Sequence, residues 1–147
     1  YLTHKKPTLI IIKGMRITIL EQHVARRREI HNLYTQLLQD IEGVTVMQNP
    51  SSDFNSNFWL TTITFDDSWD TTPEEIRQAL EAENIETRWL WRPMHMQPVF
   101  ANAPYYGGDC ARNLFEHGLC LPSGSSLTDD DIHRVADAIK DFFNKKK

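Results

Sequence analysis

Pro93 and Pro98 limit what this chain can fold into more than any other pair of residues. Each lacks a backbone N–H and fixes φ, so a central strand cannot run through either. Around them stands Glu-Thr-Arg-Trp-Leu-Trp-Arg-Pro-Met-His-Met-Gln-Pro-Val-Phe, Glu86 to Phe100. Trp89 and Trp91 are two apart and face one side of an extended segment. Arg88 and Arg92 flank them on one common face, opposite to that of His95. Pro93 presses Arg92 into an extended, non-ladder geometry, so a strand is expected to end near Trp91. From Pro93 to Phe100 the chain reads as a rigid loop of polar and aromatic groups, and such loops on a scaffold bind ligands.

The 147 residues are 40% hydrophobic, enough apolar mass for one domain with one core. The net charge of −4, with both signs mixed, argues against the basic face of a nucleic-acid binder. The terminal Lys145-Lys146-Lys147 run reads as a frayed, solvated end. Cys110 and Cys120 form no C-x-x-C pair, so no zinc site is expected, and a reduced pair is. The apolar run Leu9–Ile12 is too short for a signal peptide or a membrane span, which makes the cytoplasm the default. The chain begins at Tyr1, which suggests that something upstream was removed, lost or never included.

Residues 1–18 are poorly patterned, and a short strand, a rearranged segment or a reading-frame scar are all open there. Glu21 to about Glu42 reads as a helix, with Val24, Ile30, Tyr34, Leu37, Leu38 and Ile41 at helical spacing and Gly43 as its stop. Its Arg26-Arg27-Arg28 run is expected to be a solvated face. Val44–Met47 and Phe58–Phe65 read as strands, with Phe58 and Trp59 in the core. Thr72-Pro73-Glu74-Glu75 opens a helix with a capping box and Pro at N1, running to about Asn84 over Ile76, Ala79 and Leu80. Ile85–Trp91 is the next strand. Asp109–His117 is a short helix with Ala111, Leu114 and Phe115 inward, stopped by Gly118. Leu119–Leu121 is a brief strand. Thr128 caps the last helix, whose core face is Ile132, Val135, Ala136, Ile139, Phe142 and Phe143, with Asp129–Asp131 complementing its dipole. The order predicts an α+β fold: a small, mostly antiparallel sheet with helices packed mainly on one face.

Several motifs resemble one family. Arg-x-Leu-Trp-Arg-Pro-Met-His-x-Gln-Pro-Val-Phe, Glu-His-Gly-Leu-Cys-Leu-Pro-Ser-Gly (Glu116–Gly124), Leu-Thr-Asp-Asp-Asp-Ile (Leu127–Ile132) and Ile-Leu-Glu-Gln-His-Val-Ala-Arg-Arg-Arg-Glu-Ile (Ile19–Ile30) are similar to the C-terminal domain of the DegT/DnrJ/StrS sugar aminotransferases. These are pyridoxal-phosphate (PLP) enzymes that aminate nucleotide-linked keto-sugars. The resemblance covers about Ile19 to Phe143. It implies the small domain of an aspartate-aminotransferase-like enzyme over residues 19–147, preceded by the unpatterned residues 1–18.

The same resemblance implies that Arg88–Phe100 borders the substrate cleft. Arg88 and Arg92 would pair with the diphosphate, since guanidinium forks fit phosphate oxygens. His95 would hydrogen-bond a sugar or phosphate oxygen, and Trp91 would stack on a sugar or base. Trp89 reads as core or interface, and Gln97 and Phe100 as loop-fixing residues. No catalytic residue is expected. A transaminase needs a lysine for the PLP Schiff base. In this family that lysine follows a Ser-Phe motif in the large domain, and neither it nor a Gly-rich phosphate turn is found here. The chain alone is therefore expected to hold no PLP, and to be one part of an enzyme whose large PLP-binding domain or second subunit lies elsewhere. The intact enzyme is expected to be a homodimer. The Leu-Trp-Arg-Pro-Met-His variant resembles members acting on 4-keto-6-deoxy sugars of surface glycans.

Other chemistries are weaker. Met94-His95-Met96 lacks a second ligand at metal spacing. The aspartate clusters lack the EF-loop pattern. Ser123, Ser125 and Ser126 show no His-Asp logic. No metal, nucleic acid or membrane partner is expected. The rival reading is a non-catalytic domain that binds sugar nucleotides or a protein partner.

Overall fold

A computed structural model describes the backbone of residues 6–146 and, from residue 19 onward, the side chains as well. Residues 1–5 and Lys147 lie outside the described residues, and with them part of the unpatterned start and of the lysine tail.

Among the described residues, four α-helices and a small antiparallel sheet make up the fold. Helix α1 is Lys6–Leu38, α2 is Pro73–Ala82, α3 is Cys110–His117 and α4 is Asp129–Lys146. The strands are β1 (Val44–Val46), β2 (Thr61–Phe65), β3 (Arg88–Trp89) and β4 (Gly118–Leu121), in the order β1-β2-β4-β3. Every pairing is antiparallel. The expected α+β architecture is the one observed. No described helix is long and apolar enough to cross a membrane.

The registers set one apolar face. Val44 pairs with Phe65, Val46 and Leu119 both pair with Ile63, and Thr61 pairs with Leu121. Val44, Val46, Ile63, Phe65, Leu119 and Leu121 join one core cluster with Ile30, Tyr34 and Leu38 of α1, Ile76 and Leu80 of α2, and the predicted stripe of α4. Burying each such aliphatic side chain contributes roughly 1.5–3 kcal/mol. Tyr34 is buried, and its hydroxyl donates to the Pro122 carbonyl at 3.0 Å. Burial, and secondarily Asp131, raises that phenol well above its ordinary pKa.

Local chemistry fixes the ends of the elements. The Thr72 hydroxyl accepts from the Glu75 N–H while the Glu75 carboxylate accepts from the Thr72 N–H, with Pro73 in the first turn of α2. Thr128 and Asp131 make the same reciprocal pair at α4. The Thr128 hydrogen bonds hold the Asp131 carboxyl below its usual range. Gly43 has φ +74°, and a Cβ there would stand 2.7 Å from an Asp66 oxygen. Gly118 ends α3 for another reason: its φ is −118°, and a Cβ would collide with the Leu114 carbonyl and the Leu90 side chain.

Several expectations are corrected. Helix α1 begins at Lys6 rather than Glu21 and stops at Leu38, which leaves Ile41 in the following turn. Strand β2 starts only at Thr61, because Phe58 has φ +45° and turns the chain first. Trp59 is therefore 57% exposed, not core. Ala111 is exposed on α3. The arginine run is no idle solvated face. Arg26 donates to the Leu127 carbonyl and Asp129, both at 2.8 Å, and Arg28 donates to the Ser56 carbonyl at 3.1 Å and Asn55 Oδ1 at 2.7 Å. The lysine tail is not frayed at Lys146, which donates to Glu75 at 3.2 Å and to the Asp70 carbonyl at 3.3 Å.

Candidate functional site

Strand β3 is two residues long, because only Arg88 and Trp89 find partners, at Cys120 and Leu119 of β4. It is an edge strand, so the chain can leave after Trp89 without stranding central backbone groups. Pro93 then opens a 3-10 turn at Met94–Met96, and Pro98 a second at Pro98–Phe100. The Gln97 side-chain amide donates to the Arg92 carbonyl at 3.3 Å and so ties the two arms together, which is its expected loop-fixing role.

A groove of about 540 Å³ opens beside β3 and β4, lined by Trp59, Arg88, Trp89, Trp91, Cys120 and Arg134 among others. Arg88 has an 80% exposed side chain and donates to Glu86 at 2.7 and 2.9 Å. Trp91 is 66% exposed. Its ring centroid lies 6.1 Å from that of Trp59, with 36° between the planes. Trp89 is 43% exposed rather than core, though its ring meets Phe115 edge-on at 5.7 Å and its indole N–H donates to Glu74 at 3.2 Å. The Glu74 carboxyl is pushed down to about 2, chiefly by its hydrogen bonds from Arg77 and then Gln78. Burial raises the Cys120 thiol, which keeps it protonated and unreactive.

Arg92 and His95 stand apart from this groove. The Arg92 guanidinium carbon lies 5.4 Å from the centre of the Phe115 ring. His95 packs on Tyr105 with centroids 4.0 Å apart, and its buried Nε2 has no partner among the described residues. The structure thus brings Arg88 and Trp91 together and places Arg92 and His95 on the far reach of the same loop. Sequence reasoning missed Trp59. The signal was Asn55-Ser56-Asn57, turn formers directly before it, of which Ser56 and Asn57 accept from the Phe58 and Trp59 N–H groups at 3.0 Å each.

Ser123 is buried and fully employed, accepting from the Thr61 N–H and donating to the Leu121 carbonyl, both at 2.8 Å. Ser125 lies 2.7 Å from His23 Nδ1, but His23 is exposed and no carboxylate bonds that ring among the described residues. No hydrolytic triad is assembled there. No lysine lines the groove among the described residues, where Lys140 pairs with Asp137 and Lys146 with Glu75. The N-termini of α2 and α4 are occupied by their own caps and acidic first turns, which leaves neither open to a phosphate.

A family model described as the DegT/DnrJ/EryC1/StrS aminotransferase family matches residues 12–140. The chain is 39% identical over 132 residues to EpsN of Bacillus subtilis, provisionally named a pyridoxal phosphate-dependent aminotransferase. That match covers 87% of this chain and 33% of the other. It is 28% identical over 120 residues to GDP-perosamine synthase of Caulobacter vibrioides, covering 82% and 32%. In three dimensions it matches the aminotransferase TlmJ from Streptoalloteichus hindustanus with a TM-score of 0.77 at 21% identity, over 91% of this chain and 35% of that one. The chain spans about a third of the length of the curated relatives it matches.

Proposed function

The chain belongs to the DegT/DnrJ/EryC1/StrS aminotransferase family, and we propose that it is the substrate-facing small domain of an enzyme that aminates nucleotide-linked keto-sugars. One observation carries this most directly: Arg88 and Trp91 line the same open groove. An aromatic face beside a guanidinium is the chemistry that receives a ring linked to a diphosphate. Among the described residues the Arg88 side chain has only Glu86 as partner, and exposed pairs of this kind contribute little, so it can turn to a phosphate. Arg92 and His95 extend this reading along the loop, where His95 Nε2 is buried without a partner among the described residues. Residues 19–147 form this domain in our reading, and the cytoplasm is its compartment.

PLP supplies the electron sink in such enzymes. In our reading the described residues do not hold it: no lysine lines the groove among them, and the N-termini of α2 and α4 are closed by their own caps. We assign the cofactor and its lysine to a large domain or second subunit beyond these residues, in an intact enzyme that is a homodimer.

The test is calorimetric titration of the chain with UDP, dTDP and GDP, together with a transaminase assay on the intact enzyme with a nucleotide-linked 4-keto sugar. Binding in the titration, and a raised KM in Arg88→Ala, are expected. No heat with any of the three nucleotides and an unchanged KM would leave a non-catalytic interaction domain instead.

A further inference from the structure

We propose that Trp59 and Trp91 form an aromatic jaw for the base of a nucleoside diphosphate, with Trp59 as its pre-set wall. This rests on the nucleotide-sugar reading and adds to it a residue and a division of labour.

Trp59 is a large apolar side chain left 57% exposed on a loop that is tied down at every step. Arg28 of α1 holds the Ser56 carbonyl and Asn55. Ser56 and Asn57 side chains accept from the Phe58 and Trp59 backbone N–H groups. Phe58 is held at φ +45°, a region a bulky L residue rarely enters, while its ring is stacked on the buried His31 at 3.6 Å. Strain of this sort persists only where the surroundings over-determine it, and it gathers at binding sites. Here its consequence is specific: the turn at Phe58 breaks the strand and sends Trp59 out beside the groove.

The facing wall differs. Trp91 lies between the end of β3 and Pro93, outside any strand, and is 66% exposed. The two centroids are 6.1 Å apart with the planes opened by 36°. A flat ring between two aromatic faces needs about 7 Å, twice the carbon contact distance of about 3.5 Å. A small rotation of Trp91 supplies the difference while Trp59 stays fixed. A puckered sugar is too thick for that gap, whereas every nucleobase has a flat π-face. Arg88 lines the same groove and supplies the charge that the diphosphate next to the base requires.

The chain would be titrated with UDP, GDP and inorganic pyrophosphate, following calorimetry and tryptophan emission. Trp59→Ala should weaken UDP and GDP roughly tenfold or more while leaving pyrophosphate unchanged, because base stacking alone is lost. Trp59→Phe should restore most of the affinity, and Arg88→Ala should weaken all three probes. Far-UV circular dichroism of each variant verifies the fold, which an exposed indole does not support. If Trp59→Ala binds UDP and GDP as wild type does while Arg88→Ala weakens them, the jaw is wrong and the nucleotide-sugar reading stands. If wild type binds none of the three, that reading falls and the jaw with it.

Discussion

The imidazole of His31 lies flat against the phenyl ring of Phe58, with centroids 3.6 Å and planes 10° apart. The Gln48 amide nitrogen is used by Thr35 Oγ1 at 3.0 Å and the Val46 carbonyl at 3.2 Å. Its oxygen therefore faces His31 Nε2 at 3.1 Å, which assigns the ring proton to that nitrogen. The buried Nδ1 is left bare, with no partner among the described residues. Helix α1 thus holds a neutral aromatic slab against the turn that displays Trp59.

That arrangement makes stability depend on pH. Burial pushes the His31 imidazole below its ordinary range, partly offset by the Gln48 bond. Below the unfolded value of about 6.5 the unfolded chain takes up a proton that the folded chain refuses, so stability falls as pH drops. Urea midpoints measured at about pH 7.5 and about pH 5.5 should fall for wild type and fall less for His31→Gln. Equal pH slopes in the two proteins would remove His31 as the cause.

Gly118→Ala should destabilise the fold by about 1–3 kcal/mol, the cost of forcing a methyl group into a filled site. The new Cβ meets the Leu114 carbonyl, which is backbone and cannot step aside, as well as Leu90. Because Leu90 adjoins β3, the strain should also reach Trp89 and Trp91. Thermal unfolding checks the first effect and tryptophan emission the second. A variant with wild-type midpoint and emission would mean the α3–β4 junction relaxes freely.

Arg28→Ala should loosen the loop before β2 more than it lowers overall stability, with a loss of roughly 1 kcal/mol for its hydrogen bonds to Ser56 and Asn55. The reporters are the amide protons of Phe58 and Trp59, held by Ser56 and Asn57. Their hydrogen exchange should accelerate while that of Ile63 in β2 stays slow. Unchanged exchange at both amides would show that the loop holds itself without α1.

Where local chemistry decides, these elements were readable. Thr72-Pro73-Glu74-Glu75 and Thr128 specify helix starts through bonds within four residues, and the apolar stripe of α4 is read directly from its spacing. Trp59 was not, because strand alternation assumes an unbroken strand and the Phe58 turn is held by residues of α1 about thirty positions away. The early start of α1 was hidden by Ile10-Ile11-Ile12, whose β-branched side chains carry weak helix propensity. In the site, alternation sets Arg88 and Trp91 on opposite faces of an extended segment; they line one groove because the strand stops at Trp89. The separation of Arg92 and His95 comes from two successive 3-10 turns that no period announces.

Arg92 puts two roles in competition, and kinetics separates them. Its guanidinium lies over Phe115 at 5.4 Å, an arrangement worth about 0.5–1 kcal/mol at an exposed site. If Arg92 only braces the loop, Arg92→Ala in the intact aminotransferase lowers the melting temperature slightly and leaves KM for the nucleotide sugar alone. If it pairs with the diphosphate, KM rises roughly tenfold or more, because a charge-assisted pair to phosphate contributes about 1.5–3 kcal/mol. We expect the second outcome, with Arg92→Lys recovering only part of it, since an ammonium lacks the planar fork that grips two phosphate oxygens. An unchanged KM with a lowered melting temperature would confine Arg92 to the Phe115 contact and leave Arg88, Trp91 and Trp59 to carry the proposed nucleotide groove.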